Sequence, residues 1–119
     1  LAYMGTRFIA TNEANAIEEY KKMIIDSNAD DIIYTSLFTG IHGSYLKGSI
    51  TRSGLDPEKL ENGNKNTMDF SKKESRTKAW KDIWGAGQGV GTMKDIKSVA
   101  TLVNEIEEDY SKTKKRVCR

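Results

Sequence analysis

The stretch that most constrains this chain is its first ten residues, LAYMGTRFIA. Residues 2 to 9 mix Tyr3, Phe8 and Ile9 with small residues and stop at polar Thr11 and Asn12, which predicts a short buried strand and the loop leaving it. The stretch is apolar on both faces, and such strands belong in parallel sheets, with helices over the faces and neighbours at both edges. The rest of the chain offers at most one further strand, within residues 31 to 38, and two strands alone are marginal in water. At 119 residues and 37% hydrophobic, a modest independent core is permitted. The chain is therefore either an unusual α+β domain or one end of a larger fold that starts upstream of Leu1.

Beyond the strand, Thr11 reads as an N-cap with Glu13 in the first turn, where a carboxylate suits the helix dipole. Ile17, Tyr20 and Ile24 recur at helical spacing, with Glu18 and Lys22 paired four apart on the outer face, so a helix is expected over 12–27. The run DDIIYTSLFTG predicts an extended segment ending at Gly40. Gly40, Gly43 and Gly48 then make a compact, turning stretch and not a long regular element. A short helix within 51–60 begins near Pro57. The polar, lysine-rich residues 61–77, with an Asn-Gly turn at 62 and 63, read as a surface excursion. Trp80 and Trp84 stand one helical turn apart, as core residues do. Thr92 and Asp95 resemble a capping box, and Ile96, Val99, Val103, Ile106 and Tyr110 predict a final helix over about 95–112.

Charge and composition exclude several classes of function. A net charge of +2 argues against a nucleic-acid or anionic-membrane partner, and the basic cluster in the last eight residues reads as a solvated tail. No run approaches the roughly 18 apolar residues of a membrane span. The single cysteine, Cys118, forms no internal disulfide, which fits a soluble protein of the cytoplasm. His42 is the only histidine, so no multi-histidine metal site and no Cys-His pair assemble. The carboxylates fall on helix faces, and no pair is singled out as acid and base.

Two motifs carry the remaining interest. GAGQGVG invites comparison with the dinucleotide fingerprint, but Val90 stands where the last glycine belongs and no strand precedes it. Its four alternating glycines supply either a backbone able to take positive φ and approach a flat ligand, or a plain turn between helices. MGTRF at a strand end offers backbone N–H groups and the Thr6 hydroxyl to an anion, and in (β/α)8 barrels phosphates commonly sit after the seventh and eighth strands. The residues by themselves leave the chemistry open.

Taken together and in order, YMGTRFIATNEANAIEEYKKMI, DDIIYTSLFTGIHGSYLKGSI, GLDPEKL and KAWKDIWGAGQGVG resemble the C-terminal third of the nitronate monooxygenase family, formerly called 2-nitropropane dioxygenases. The resemblance implies an α/β fold: the C-terminal part of an FMN-dependent (β/α)8 TIM barrel with an inserted subdomain, mostly helical as a fragment with one or two short strands. Residues 1–28 then correspond to the last barrel strand and following helix, 29–78 to the inserted subdomain and surface loop, and 79–119 to the return to the barrel and the C-terminal helix. By position, Met4, Gly5 and Thr6 are the implied contacts to the FMN phosphate, and Gln88 lies near the flavin. Tyr3 stands where members often have glutamine, and His42 and Tyr45 are placed toward the active-site side. The family's catalytic histidine lies upstream, so no catalytic residue is assigned within this chain and the fragment alone is expected to be inactive. The implied reaction is oxidation of alkyl nitronates by dioxygen. The alternatives are an NADH:quinone reductase, a flavin-dependent enoyl reductase of the same superfamily, or an inactive non-catalytic module. The expected partners are accordingly a small-molecule nitronate or quinone with dioxygen or NADH.

Overall fold

A computed structural model describes residues 3–61 and 81–117. The predicted excursion at 61–77 lies almost wholly outside the described residues, as do Trp80 and Cys118. Along the chain run α1 (Gly5–Ile9), α2 (Glu18–Asp26), a 3₁₀ turn (Ala29–Asp31), β1 (Ile32–Thr35), β2 (Gly43–Leu46), α3 (Lys47–Arg52), α4 (Pro57–Glu61), a second 3₁₀ turn (Gln88–Thr92) and α5 (Val99–Val117). The mostly helical chain with two short strands agrees with the expected fragment.

The opening segment is a correction. Gly5–Ile9 is a turn of helix, and Tyr3 is 94% exposed. A strand with no neighbours would leave its N–H and C=O groups unpaired, whereas a helical turn pairs them within the segment. The helix stops at Ala10, and the Thr11 hydroxyl donates to the Phe8 carbonyl at 2.8 Å.

Thr11 caps no helix, and α2 starts at Glu18, later than the predicted 12. Residues 11–13 are instead committed to the start of α5. Thr11 bridges Lys97 in parallel, the Asn12 N–H donates to the Lys97 carbonyl at 3.0 Å, and the Glu13 carboxylate accepts the Val99 N–H at 3.0 and 3.1 Å. Glu13 thus meets a helix N-terminus as expected, but that of another helix far along the chain. Ile17, predicted to face inward, is the exposed residue before α2. Lys21 takes an inward position, its stem buried and its ammonium 3.7 Å from Glu18, so the ion pair on α2 is three apart and does not use Lys22.

β1 and β2 pair antiparallel, Ile33 opposite Tyr45 and Thr35 opposite Gly43. The glycine-rich stretch, expected to turn and to hold no long regular element, contains the four-residue β2. Along β1, Ile33 and Thr35 are buried and Tyr34 is exposed, the alternation of a sheet covered on one face. Residues 84–86 lie along the other edge of β2: the Leu46 N–H donates to the Trp84 carbonyl at 2.9 Å and the Ala86 N–H to the Ser44 carbonyl at 3.1 Å. The short helix expected within 51–60 is α4; α3 is an additional helix that ends before Gly54, whose φ of 85° no side-chain-bearing residue adopts easily. Pro57 opens α4 as expected.

The final helix starts later than predicted and runs longer. Its cap is Ser98, whose Oγ accepts the Thr101 N–H at 3.1 Å. The expected box does not form, because the Thr92 hydroxyl donates to the Gly89 carbonyl and Asp95 pairs with Lys97 at 3.0 Å. Of the predicted stripe, Val103 and Tyr110 are exposed, and the residue that α5 buries is Leu102. A capping box does exist elsewhere, between Asn28 and Asp31 at the first 3₁₀ turn.

Two apolar clusters hold these elements. One gathers Ile24, Leu46, Trp84, Val90 and Met93; the other gathers Ile33, Phe38, Ile50, Leu60 and Ile83. β2 supplies Leu46 to the first and Tyr45 to the rim of the second, so the strand joins the two.

Candidate functional site

The segment from Trp84 to Gly91 is positioned by other elements, residue by residue. Ser49, fully buried on α3, accepts the Trp84 N–H at 2.9 Å and donates to the Leu46 carbonyl at 2.8 Å. The Trp84 indole stacks on Tyr20 of α2 with centroids 4.9 Å apart, and the Arg52 guanidinium lies 3.9 Å from the indole centroid. The Tyr20 hydroxyl donates to the Gly85 carbonyl. The Gly87 N–H then donates to Thr6 Oγ1 at 2.8 Å, joining positions 81 apart in sequence.

The four alternating glycines are not there for positive φ, since that conformation is found only at Gly40 and Gly54 among the described residues. A Cβ on Gly85 would stand 3.4 Å from the Ser44 carbonyl oxygen, one on Gly87 3.5 Å from Thr6 Oγ1, and one on Gly91 3.5 Å from Asn28, all ordinary van der Waals separations. At Gly89, and at Gly5 on α1, nothing lies within 4 Å. The segment makes an isolated bridge to β2 at Gly85 and then a 3₁₀ turn, so it is neither a positive-φ backbone nor a plain turn between helices.

The predicted site residues fall as follows. Thr6 meets the glycine segment directly, half-buried, with its oxygen taken by Gly87 and no acceptor for its own O–H among the described residues. Gly5 precedes it, exposed, at the start of α1, and Gln88 follows Gly87, exposed, at the start of the second 3₁₀ turn. Met4 is the partly exposed residue before α1. His42 is exposed and tilted against Tyr34 at 5.1 Å, and Tyr45 packs edge-on against Phe38 at 5.1 Å. The sequence does not single out Tyr20 or Ser49, which hold this segment by hydrogen bonds. Tyr20 reads simply as one member of an apolar stripe, and no spacing signals Ser49.

Two clefts flank this arrangement. One of about 210 Å³ is lined by Arg7, Thr92, Met93, Lys94 and Lys97. That volume is below the roughly 300 Å³ at which small-molecule pockets begin. Hydrogen bonds to Glu105 and then Asp95 raise the Lys97 ammonium above its ordinary pKa, so it stays charged. The other, of about 350 Å³, lies beside Ile17, Tyr20, Arg52 and Trp84, and neither cleft is lined by Thr6 or Gln88. Among the described residues no group of three or more His, Cys, Asp or Glu is placed to hold a metal ion, and no helix is long and apolar enough to cross a membrane.

Burial raises the Tyr20 phenol above its ordinary value, because the low-polarity surroundings disfavour the phenolate. A raised folded-state value keeps the proton bound in the native state where the unfolded chain releases it. The associated stability is full below pH 10 and falls as pH rises through the folded value. In an alkaline titration, the absorbance difference between wild type and Tyr20→Phe is expected to develop above the ordinary tyrosine value. A difference that develops at the ordinary value would contradict the buried placement.

A solved structure, that of a FabK (M276A) mutant from Thermotoga maritima, shares the fold with a TM-score of 0.65 at 22% identity. The match covers 96% of this chain and 35% of the other, so the chain spans about a third of that protein's length. No curated protein matches the chain. The family model described as nitronate monooxygenase matches residues 1–109, and on that match over most of its length the chain belongs to the nitronate monooxygenase family.

Proposed function

We propose that this chain is the C-terminal portion of an FMN-dependent oxidoreductase of the cytoplasm, built on a (β/α)8 barrel, which oxidises alkyl nitronates with dioxygen. The observation that carries the reading is the Thr6–Gly87 hydrogen bond, which brings the two segments implied in flavin binding to one place. The residues suit the group. Gly5 and Gly89 leave open space where a side chain would stand, and the free Thr6 O–H is a donor for a phosphate oxygen. Met4, Gly5 and Thr6 would hold the phosphate side, with Gln88 nearby. When bound, FMN would supply the redox chemistry between the nitronate and dioxygen. The part of this chain is to bind and orient the flavin, and no residue of it is assigned to move a proton.

The test compares the 119-residue chain with a polypeptide that also carries the rest of the barrel. The longer polypeptide is expected to bind FMN with quenched fluorescence and to consume dioxygen with propionate 3-nitronate. Thr6→Val, which removes both hydroxyl roles while conserving size, is expected to weaken FMN binding about tenfold or more. Oxidation of NADH by quinones with no turnover of the nitronate would move the assignment to the quinone reductase reading, and reduction of an enoyl thioester to the enoyl reductase reading. Tight FMN binding by the short chain alone would contradict the division of the site proposed here.

A further inference from the structure

Between Trp84 and Gly87, every residue has at least one backbone group held from outside the segment. Ser49 holds the Trp84 N–H, Tyr20 the Gly85 carbonyl, the Ser44 carbonyl the Ala86 N–H, and Thr6 the Gly87 N–H. A stretch with glycine at 85 and 87 has little side-chain packing with which to lock its own path. We infer that Tyr20 is a positioning residue for the cofactor site: by donating its hydroxyl to the Gly85 carbonyl, it sets the course of the glycine segment so that Gly87 and Gln88 are presented at Thr6. The consequence for the cofactor rests on the flavin reading above; the hydrogen bond itself does not.

The aromatic stack supports this role over direct ligand contact. Trp84 is only 6% exposed, with Tyr20 stacked on it and Arg52 over its ring, so little of the indole is left to meet a flavin. The Tyr20 ring is already fixed by that stacking. Its hydroxyl is therefore separable from its packing, and Tyr20→Phe removes the first while leaving the second.

Two measurements decide the inference. In the chain without flavin, Tyr20→Phe is expected to speed amide hydrogen exchange at Ala86 and Gly87 about fivefold, the factor that one net hydrogen bond represents, and to leave the Ile24 amide within α2 unchanged. In the polypeptide carrying the rest of the barrel, the same variant is expected to bind FMN about fivefold more weakly and to shift the flavin absorbance bands, with thermal melting within a few degrees of wild type. Replacement of Tyr20 by p-aminophenylalanine, which keeps the ring and an N–H donor, is expected to restore exchange, affinity and spectrum.

Unchanged exchange in Tyr20→Phe overturns the inference. Faster exchange with unchanged FMN affinity and spectrum also overturns it, leaving the hydroxyl a structural role alone. A wild-type polypeptide that takes up no FMN would sink the flavin reading instead, and exchange at Ala86 and Gly87 would then judge the pin alone. Should the phenylalanine variant fail to fold, the p-aminophenylalanine variant decides: wild-type exchange supports the pin, and fast exchange removes it.

Discussion

Trp84→Ala is expected to lower the free energy of unfolding by about 3–5 kcal/mol, as removal of a buried aromatic does when its site cannot collapse. The indole lies between elements that are otherwise far apart in sequence. Tyr20 stacks on it from α2, Arg52 reaches it from the end of α3, and its backbone N–H is held by Ser49. Removing the indole leaves a void bordered by backbone that those bonds prevent from moving inward. Arg52→Ala serves as the control, because an exposed cation over an aromatic ring contributes only about 0.5–1 kcal/mol. Small domains hold roughly 5–15 kcal/mol in total, so Trp84→Ala removes a large share of the margin. Urea unfolding followed by circular dichroism measures both variants. A loss below about 1 kcal/mol for Trp84→Ala would mean that the indole is not enclosed as described.

Local features of the chain were legible where the physics is local. The three-four rhythm located α2 and α5, Pro57 opened α4, and β-branched density located β1. Element edges were less legible because capping groups were claimed from a distance. Glu13 has the right chemistry for a helix N-terminus, but the Val99 N–H competes for it from the other end of the chain. Thr6 was singled out for its hydroxyl, yet nothing in its spacing indicates that the oxygen accepts from Gly87. The same holds for the glycines: their spacing does not say which of them need positive φ, and the fold shows that Gly40 and Gly54 do while those from Gly85 to Gly91 do not. The family came from the ordered run of motifs across the chain, since each motif alone admitted a bland reading. The opening strand was misread for a related reason. Apolar residues with small ones between them suit a strand in a sheet, but Gly5–Ile9 has no neighbouring strand among the described residues and pairs its backbone within a helical turn.

Leu46→Ala is the second large effect, expected at about 2–5 kcal/mol, and its interest lies in how the loss spreads. Leu46 is 0% exposed and ends β2 where α3 begins, with its N–H on the Trp84 carbonyl and its side chain in the cluster that contains Ile24 and Val90. The adjoining Tyr45 packs against the other cluster, and α3 carries Ile50 into it. A void at Leu46 therefore loosens the strand that joins the two clusters. Ile41→Ala, at a side chain 77% exposed, removes a similar volume without a cavity and is expected to stay within about 0.5 kcal/mol of wild type. In a Trp80→Phe background the remaining tryptophan, Trp84, makes fluorescence report on the first cluster, and far-ultraviolet circular dichroism reports on the whole chain. If β2 couples the clusters, Leu46→Ala shifts both transitions to the same lower urea concentration. Fluorescence that falls early while the dichroism transition keeps its wild-type midpoint would show that the clusters unfold independently and that the strand does not couple them.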